Sequence, residues 1–210
     1  MKSMQFKVGP MDNFSYVVWD ESSAEAALID PAWEPGKLEA FLKKERLALK
    51  MVLLTHAHPD HVNGVNYFAG KNSGLPVYLN AEDQFMLEER PAGLRDAAEG
   101  DKIRLGAGVI TVMRTAGHTQ GSVCYLVPGA VFSGDTLFVG ECGRVDLPGS
   151  SPEALYNSFV RLAGLPSANA LYPGHSYNGD TSTMGVQKEY NLYLKLALQG
   201  RREDFLKAVK

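Results

Sequence analysis

Thr55-His56-Ala57-His58-Pro59-Asp60-His61 follows directly on the apolar run Met51-Val52-Leu53-Leu54. A short apolar run of this kind reads as a buried strand, and the loop at its end can turn successive side chains inward at one rim of a sheet. Three imidazoles and a carboxylate in one short loop then point to a metal site. Neutral imidazole suits zinc, iron, nickel and copper, and a carboxylate makes the set harder and can bridge two ions. A lone histidine is ordinarily a surface or core residue; clustering changes the reading. The chain has five histidines. The two outside the run, His118 and His175, also stand in glycine-flanked turns after apolar stretches: Val109 to Val112 leads to Gly117-His118, and Ala170-Leu171-Tyr172 leads to Pro173-Gly174-His175.

The rest of the chain bounds what surrounds such a site. With 210 residues, 45% hydrophobic and 21% charged, it is long enough for one well-cored domain and short for two. A single domain over residues 1–210 is expected. The net charge of −3 and the lack of a basic run suggest neither a nucleic-acid partner nor an anionic membrane surface. Met1 to Pro10 carries charges and no apolar leader core, and no stretch of about 18 apolar residues occurs. A soluble, cytoplasmic protein is the expectation. Cys124 and Cys142 show no C-x-x-C spacing, which fits reduced thiols, although sequence leaves a disulfide between them open.

Met4 to Val8, Ser15 to Trp19 and Ala24 to Ile29 read as short strands between turn-forming stretches. Gly36 to Leu47 reads as an amphipathic helix, Val62 to Ala69 as another, Pro76 to Leu79 as a strand, and Asn80 as the cap of a following helix. Glu88 to Glu99 reads as an exposed connection able to act as a flap near the site. Ile103 to Leu105, Val109 to Arg114, Ser122 to Val127 and Ala130 to Phe132 form a second antiparallel set, and Gln187 to Leu198 a helix whose Tyr190, Tyr193, Leu194 and Ala197 pack on the core. A strand-rich half followed by a helix, repeated once, is what two packed sheets with helices outside would produce.

The seven-residue run resembles the THxHxDH signature of the metallo-β-lactamase fold, in its two-metal hydrolase branch. Ala116-Gly117-His118-Thr119, Ser133-Gly134-Asp135-Thr136 and Tyr172-Pro173-Gly174-His175 match further motifs of that branch in order. The resemblance spans nearly the whole chain and implies an α+β fold, a four-layer αββα sandwich. It further implies that His56, His58 and His118 hold one ion, that Asp60, His61 and His175 hold a second, and that Asp135 bridges them. Asp60 would also orient the attacking hydroxide. For Asp30, in Ile29-Asp30-Pro31, the residues alone suggest a solvated turn, whereas the resemblance implies a buried carboxylate beneath the metals. An aspartate at 135, with no export signal, argues for the thioester-hydrolysing relatives against the antibiotic-hydrolysing ones.

Gly140 to Gly149 resembles a loop shared by short glyoxalase-II-like hydrolases and persulfide dioxygenases. Within it Arg144 offers a planar cation to a substrate carboxylate, or a partner to Asp146. Cys142 has no activating base beside it in sequence. About 35 residues follow His175, fewer than the glutathione-binding region of full-length hydroxyacylglutathione hydrolases, so glutathione itself is in question. Tyr177, after Ser176, leans towards the dioxygenases. Three readings follow. The first is a glyoxalase-II-like hydrolase with two zinc ions, cleaving a small-molecule thioester of the S-2-hydroxyacyl thiol type. The second is a persulfide dioxygenase with one iron on His56, His118 and Asp135. The third, weakest, is a metal-dependent scaffold. The sequence sets no oligomeric state.

Overall fold

The computed structural model describes residues 1–72 and 74–209. Strands β1 (Lys2–Val8), β2 (Asn13–Trp19) and β3 (Glu25–Ile29) run antiparallel as successive neighbours. Helix α1 (Pro35–Lys44) then carries the chain over to β4 (Ala48–Leu53), which pairs with β3 in parallel. Two short parallel strands, β5 (Val77–Tyr78) and β6 (Leu94–Arg95), complete a sheet in the order β1-β2-β3-β4-β5-β6. The second sheet contains β7 (Lys102–Leu105), β8 (Gly108–Arg114), β9 (Val123–Val127) and β10 (Ala130–Gly134), all antiparallel. After helix α4 (Pro152–Ala163), β11 (Ala170–Pro173) adds in parallel to β10, and β12 (Ser182–Thr183) closes the edge.

Period-two alternation explains why the sheets bury both faces. Tyr16, Val18, Ala27, Ile29 and Leu53 point into a core shared with Ile110, Val112, Val123, Tyr125 and Phe132 of the other sheet. Their neighbours Val17, Ala26, Leu28 and Val52 point the other way, against Leu38 and Leu42 of α1 and against Val65 and Phe68. Cys124 and Val131 likewise face outward, against Leu155, Phe159 and Leu162 of α4 and against Leu194 and Phe205. Three cores between four layers make the αββα sandwich that the sequence implied.

Several element expectations need correction. The helix read over Val62 to Ala69 is two helices, α2 (Pro59–Val62) and α3 (Val65–Lys71), because the Gly64 amide leaves the helical pattern to donate to the Pro31 carbonyl at 3.1 Å. The helix after Asn80 is a 3-10 stretch, Ala81–Met86, with the Asn80 side chain accepting from the Glu82 amide. Glu88 to Glu99 is not a free flap: it contributes β6 to the sheet edge and buries Pro91 and Ala97. Gln187 to Leu198 breaks into α5 (Met184–Tyr190) and α6 (Leu192–Leu198) at Asn191. The buried Asn191 side chain accepts from Leu194 N and donates to the carbonyls of Phe138 and Glu141, so it caps one helix instead of continuing another. Tyr190 is consequently exposed, whereas Leu194 and Ala197 pack in the core as expected. The chain ends in α7 (Arg202–Ala208). Neither α4 nor α7 was among the sequence expectations.

Candidate metal centre

All seven expected ligand side chains meet at one rim of the sandwich, delivered by loops at strand ends. The loop after β4 brings His56 and His58, α2 brings Asp60 and His61, and the loops after β8, β10 and β11 bring His118, Asp135 and His175. His56, His58 and His118 form one group whose donor atoms lie within 4.8 Å of one another, and Asp60, His61 and His175 form another. Asp135 faces both: its Oδ2 is 3.6 Å from His118 Nε2 and 3.3 Å from His175 Nε2, and its Oδ1 is 3.3 Å from His61 Nε2.

Four imidazoles are held from behind through Nδ1. His56 meets Thr55 Oγ1 at 3.0 Å, His61 meets Asp30 Oδ2 at 3.1 Å, His118 meets the Arg144 carbonyl at 3.0 Å and His175 meets the Met11 carbonyl at 2.9 Å. Each contact leaves Nε2 directed inward, the arrangement by which a protein fixes ring orientation for a metal. His58 presents Nδ1, 2.9 Å from His118 Nε2. The buried inward atom His56 Nε2 has no hydrogen-bond partner, and Asp135 Oδ1 meets only the His61 ring, at ion-pair distance. Unpaired buried polar atoms are rare in folded proteins and call for a reason. A cation coordinated by both groups supplies one, and an imidazole-carboxylate set fits a divalent transition metal.

Charge follows the same geometry. Burial works against a proton on His61, yet Asp135 and Asp30 hold its pKa well above the ordinary imidazole value. His175 is pushed up to about 9, against burial, by Asp135 and Asp60. Burial also opposes charge on Asp135, but His61 and His175 hold it well below the usual carboxylate range. Burial and the neighbouring imidazoles keep His56 low.

Asp30 is buried and is no solvated turn residue: it accepts from Thr55 N at 2.7 Å, Thr55 Oγ1 at 2.6 Å and the His61 ring. Arg144 is paired with Asp146 through Nε and one Nη, both at 2.7 Å, on the exposed lip of the site. Tyr177, 55% exposed, stacks on the His175 ring at 5.1 Å between centroids and meets Phe138 edge-on. Sequence reasoning missed two buried residues. Asp83 ties two ligand loops together, accepting from Ala57 N, Thr119 Oγ1 and Gly121 N. Asn13 donates to the Asp60 side chain at 2.9 Å. Each sits in an ordinary polar stretch, so its role shows only when distant loops are brought together.

The metallo-beta-lactamase superfamily model matches residues 8–175, a span that contains every donor named above. The chain belongs to the metallo-beta-lactamase superfamily. Among its superfamily relatives, the probable polyketide biosynthesis zinc-dependent hydrolase PksB of Bacillus subtilis is 31% identical, covering 98% of this chain and 93% of that protein. The cytoplasmic hydroxyacylglutathione hydrolase of Arabidopsis thaliana is 37% identical over 79% of this chain but only 64% of its own length. In structure, ETHE1 from Myxococcus xanthus superposes with a TM-score of 0.87 at 28% identity, over 100% of this chain and 90% of that one. TTHA1623, solved in a di-iron-bound form, gives a TM-score of 0.79 at 34% identity, over 90% and 99%. The superfamily fold expected from the four motifs is therefore established, together with metal-dependent, hydrolase-like kinship.

Proposed function

We propose that this protein is a dinuclear metallohydrolase, folded as one domain, that cleaves a small thioester of the S-2-hydroxyacyl thiol type in the cytoplasm. The observation that carries the reading is the convergence of seven donor side chains from four chain segments, with His56 Nε2 buried and without a hydrogen-bond partner. His56, His58 and His118 would hold one zinc ion, Asp60, His61 and His175 a second, and Asp135 both. When bound, such a pair supplies Lewis acidity towards a carbonyl oxygen and lowers the pKa of a water.

The chain's own groups do the rest. Asp60 would accept a hydrogen bond from the attacking water and so aim its lone pair at the carbonyl carbon. The Tyr177 ring, stacked on His175, shields that edge of the site from bulk water and offers an apolar face to the acyl group. Arg144 keeps Nη1 outside its pair with Asp146, leaving a donor for a substrate carboxylate at the lip. The free thiols Cys124 and Cys142 accord with a reducing compartment, and among the described residues no helix is long and apolar enough to cross a membrane.

The second reading, one iron on His56, His118 and Asp135 oxidising a persulfide, is supported by Tyr177 beside His175. It leaves the other converging donors without a metal, and so ranks below the first. Elemental analysis of untagged protein purified without added metal, with aerobic and anaerobic assays, separates the two. About two zinc per chain and oxygen-independent thioester cleavage are expected. About one iron per chain, with oxygen consumed on a thiol persulfide, would overturn the hydrolase reading.

A further inference from the structure

The turn Gly9-Pro10-Met11-Asp12 between β1 and β2 lies against the second donor group, and one side chain at its end has both amide hydrogens committed there. Asn13 is 1% exposed. Its Nδ2 donates to the Asp60 carbonyl at 3.1 Å and to Asp60 Oδ2 at 2.9 Å. Oδ2 is the carboxylate oxygen that faces His175 Nε2, at 3.4 Å. An asparagine amide could turn either end to its neighbours, and here a third residue decides which. Trp33 Nε1 donates to Asn13 Oδ1 at 3.0 Å. An indole N–H can only donate, so it fixes the oxygen outward and the NH2 towards Asp60.

Trp33 is in turn held in place. Its backbone is left-handed, with φ of 51°, and its amide donates to Asn63 Oδ1 at 2.6 Å. Its ring lies so close over Gly9, itself at φ of 67°, that a Cβ there would come within 2.3 Å of it. The same turn anchors His175: the Met11 carbonyl meets its Nδ1, Phe14 N donates to the Gly174 carbonyl at 2.7 Å, and Ser176 N donates to the Asp12 carbonyl at 3.0 Å. None of these contacts reaches His56, His58 or His118.

We infer that Asn13, oriented by Trp33, is a positioning residue for the second ion site alone, holding both the backbone and the metal-facing oxygen of Asp60. The inference rests on the two-ion reading above. An oxygen already hydrogen-bonded to a fixed donor loses little rotational freedom on binding an ion, whereas a freed Asp60 pays that entropy and can swing out to water.

Metal-stripped wild type, Asn13→Ala and Trp33→Phe are titrated with zinc against a chromophoric chelator to obtain stepwise dissociation constants, and with cobalt(II) to follow the visible spectrum of each step. Melting of the stripped proteins checks folding. One of the two steps, that of the Asp60, His61 and His175 site, is expected to weaken about 10–100-fold in Asn13→Ala while the other changes less than about 3-fold. Trp33→Phe, which keeps an aromatic ring and loses the indole N–H, should shift that same step in the same direction by a smaller factor. If Asn13→Ala does not fold, Trp33→Phe decides alone. Two-step binding in wild type with both steps unchanged, or equally weakened, in the variants overturns the inference and leaves the two-ion reading standing. A wild type that takes one ion only overturns the two-ion reading itself, and Asn13 then has no second site to position.

Discussion

At the scale of single residues, the buried Asp30 does more than its neighbours in the sequence suggest. It satisfies three donors at once, the Thr55 amide and hydroxyl and the His61 ring. Removing it strands the Thr55 amide and the His61 Nδ1 and leaves the Thr55 hydroxyl only its contact with His56, and a buried donor left unpaired costs about 1–3 kcal/mol. Asp30→Ala should therefore lose about 3 kcal/mol or more in urea unfolding of the metal-free protein; a loss below about 1 kcal/mol would refute this account. The cysteines behave oppositely, as groups kept out of chemistry. Burial pushes both Cys124 and Cys142 thiols up to about 12. A raised thiol pKa leaves the unreactive protonated form dominant as pH climbs through 7 to 9. At pH 8 native protein should react with an aromatic disulfide reagent about 100-fold more slowly than protein in denaturant. That His56, His58, Asp60 and His61 gather at one rim was legible because imidazole and carboxylate in tight spacing have few other uses, whereas His118, Asp135 and His175 joined them only through the motifs of the family resemblance. Asn13 and Asp83 were not, since an amide or carboxylate acquires meaning only from partners far away in the chain.

Among the elements, strands were read more faithfully than helices. Alternation with period two marks a strand locally, as in Phe14, Tyr16 and Val18 against Val17. Asn191 breaks a stretch that is otherwise apolar at helical spacing because its side chain is needed elsewhere, and no local propensity reveals that. Parallel pairing of β10 with β11 escaped notice for the same reason, since it depends on α4 crossing between them. That pairing brings Asp135 beside Pro173-Gly174-His175, with Gly174 N donating to the Gly134 carbonyl at 2.9 Å. A Cβ on Gly174 would lie 2.1 Å from Asp135 Oδ1 and 3.0 Å from the His61 ring. Gly174→Ala should push the Asp135 carboxylate off its position at a cost of about 1–3 kcal/mol in stability, and elemental analysis should find less metal retained than in wild type. Full metal retention would mean that the strand ends have room to separate.

For the whole molecule, the layer order was readable because amphipathic strands and helices need partners of matching hydrophobic faces. Its cohesion at the rim is another matter, since that rim gathers carboxylates and imidazoles instead of apolar side chains. An ion held by the folded chain alone stabilises it by RT ln(1 + [L]/Kd), about 4 kcal/mol at a thousandfold excess. Chelation should accordingly lower the melting temperature by roughly 10 °C for a chain of this size. A scan unmoved by chelator would count against a structural contribution from metal.

The first sheet is built entirely from residues 2–95 and the second from residues 102–183. Each of the two triads assigned to an ion takes two members from the chain segment of the former and one from that of the latter: His56 and His58 with His118, and Asp60 and His61 with His175. On the two-ion reading proposed above, the ions would act as stitches across a seam. On that reading, a chain severed between Gly100 and Asp101 yields two polypeptides that still share the apolar core between the sheets, and free zinc should tighten their association further, so that a buffer of known zinc activity would dial complementation up or down.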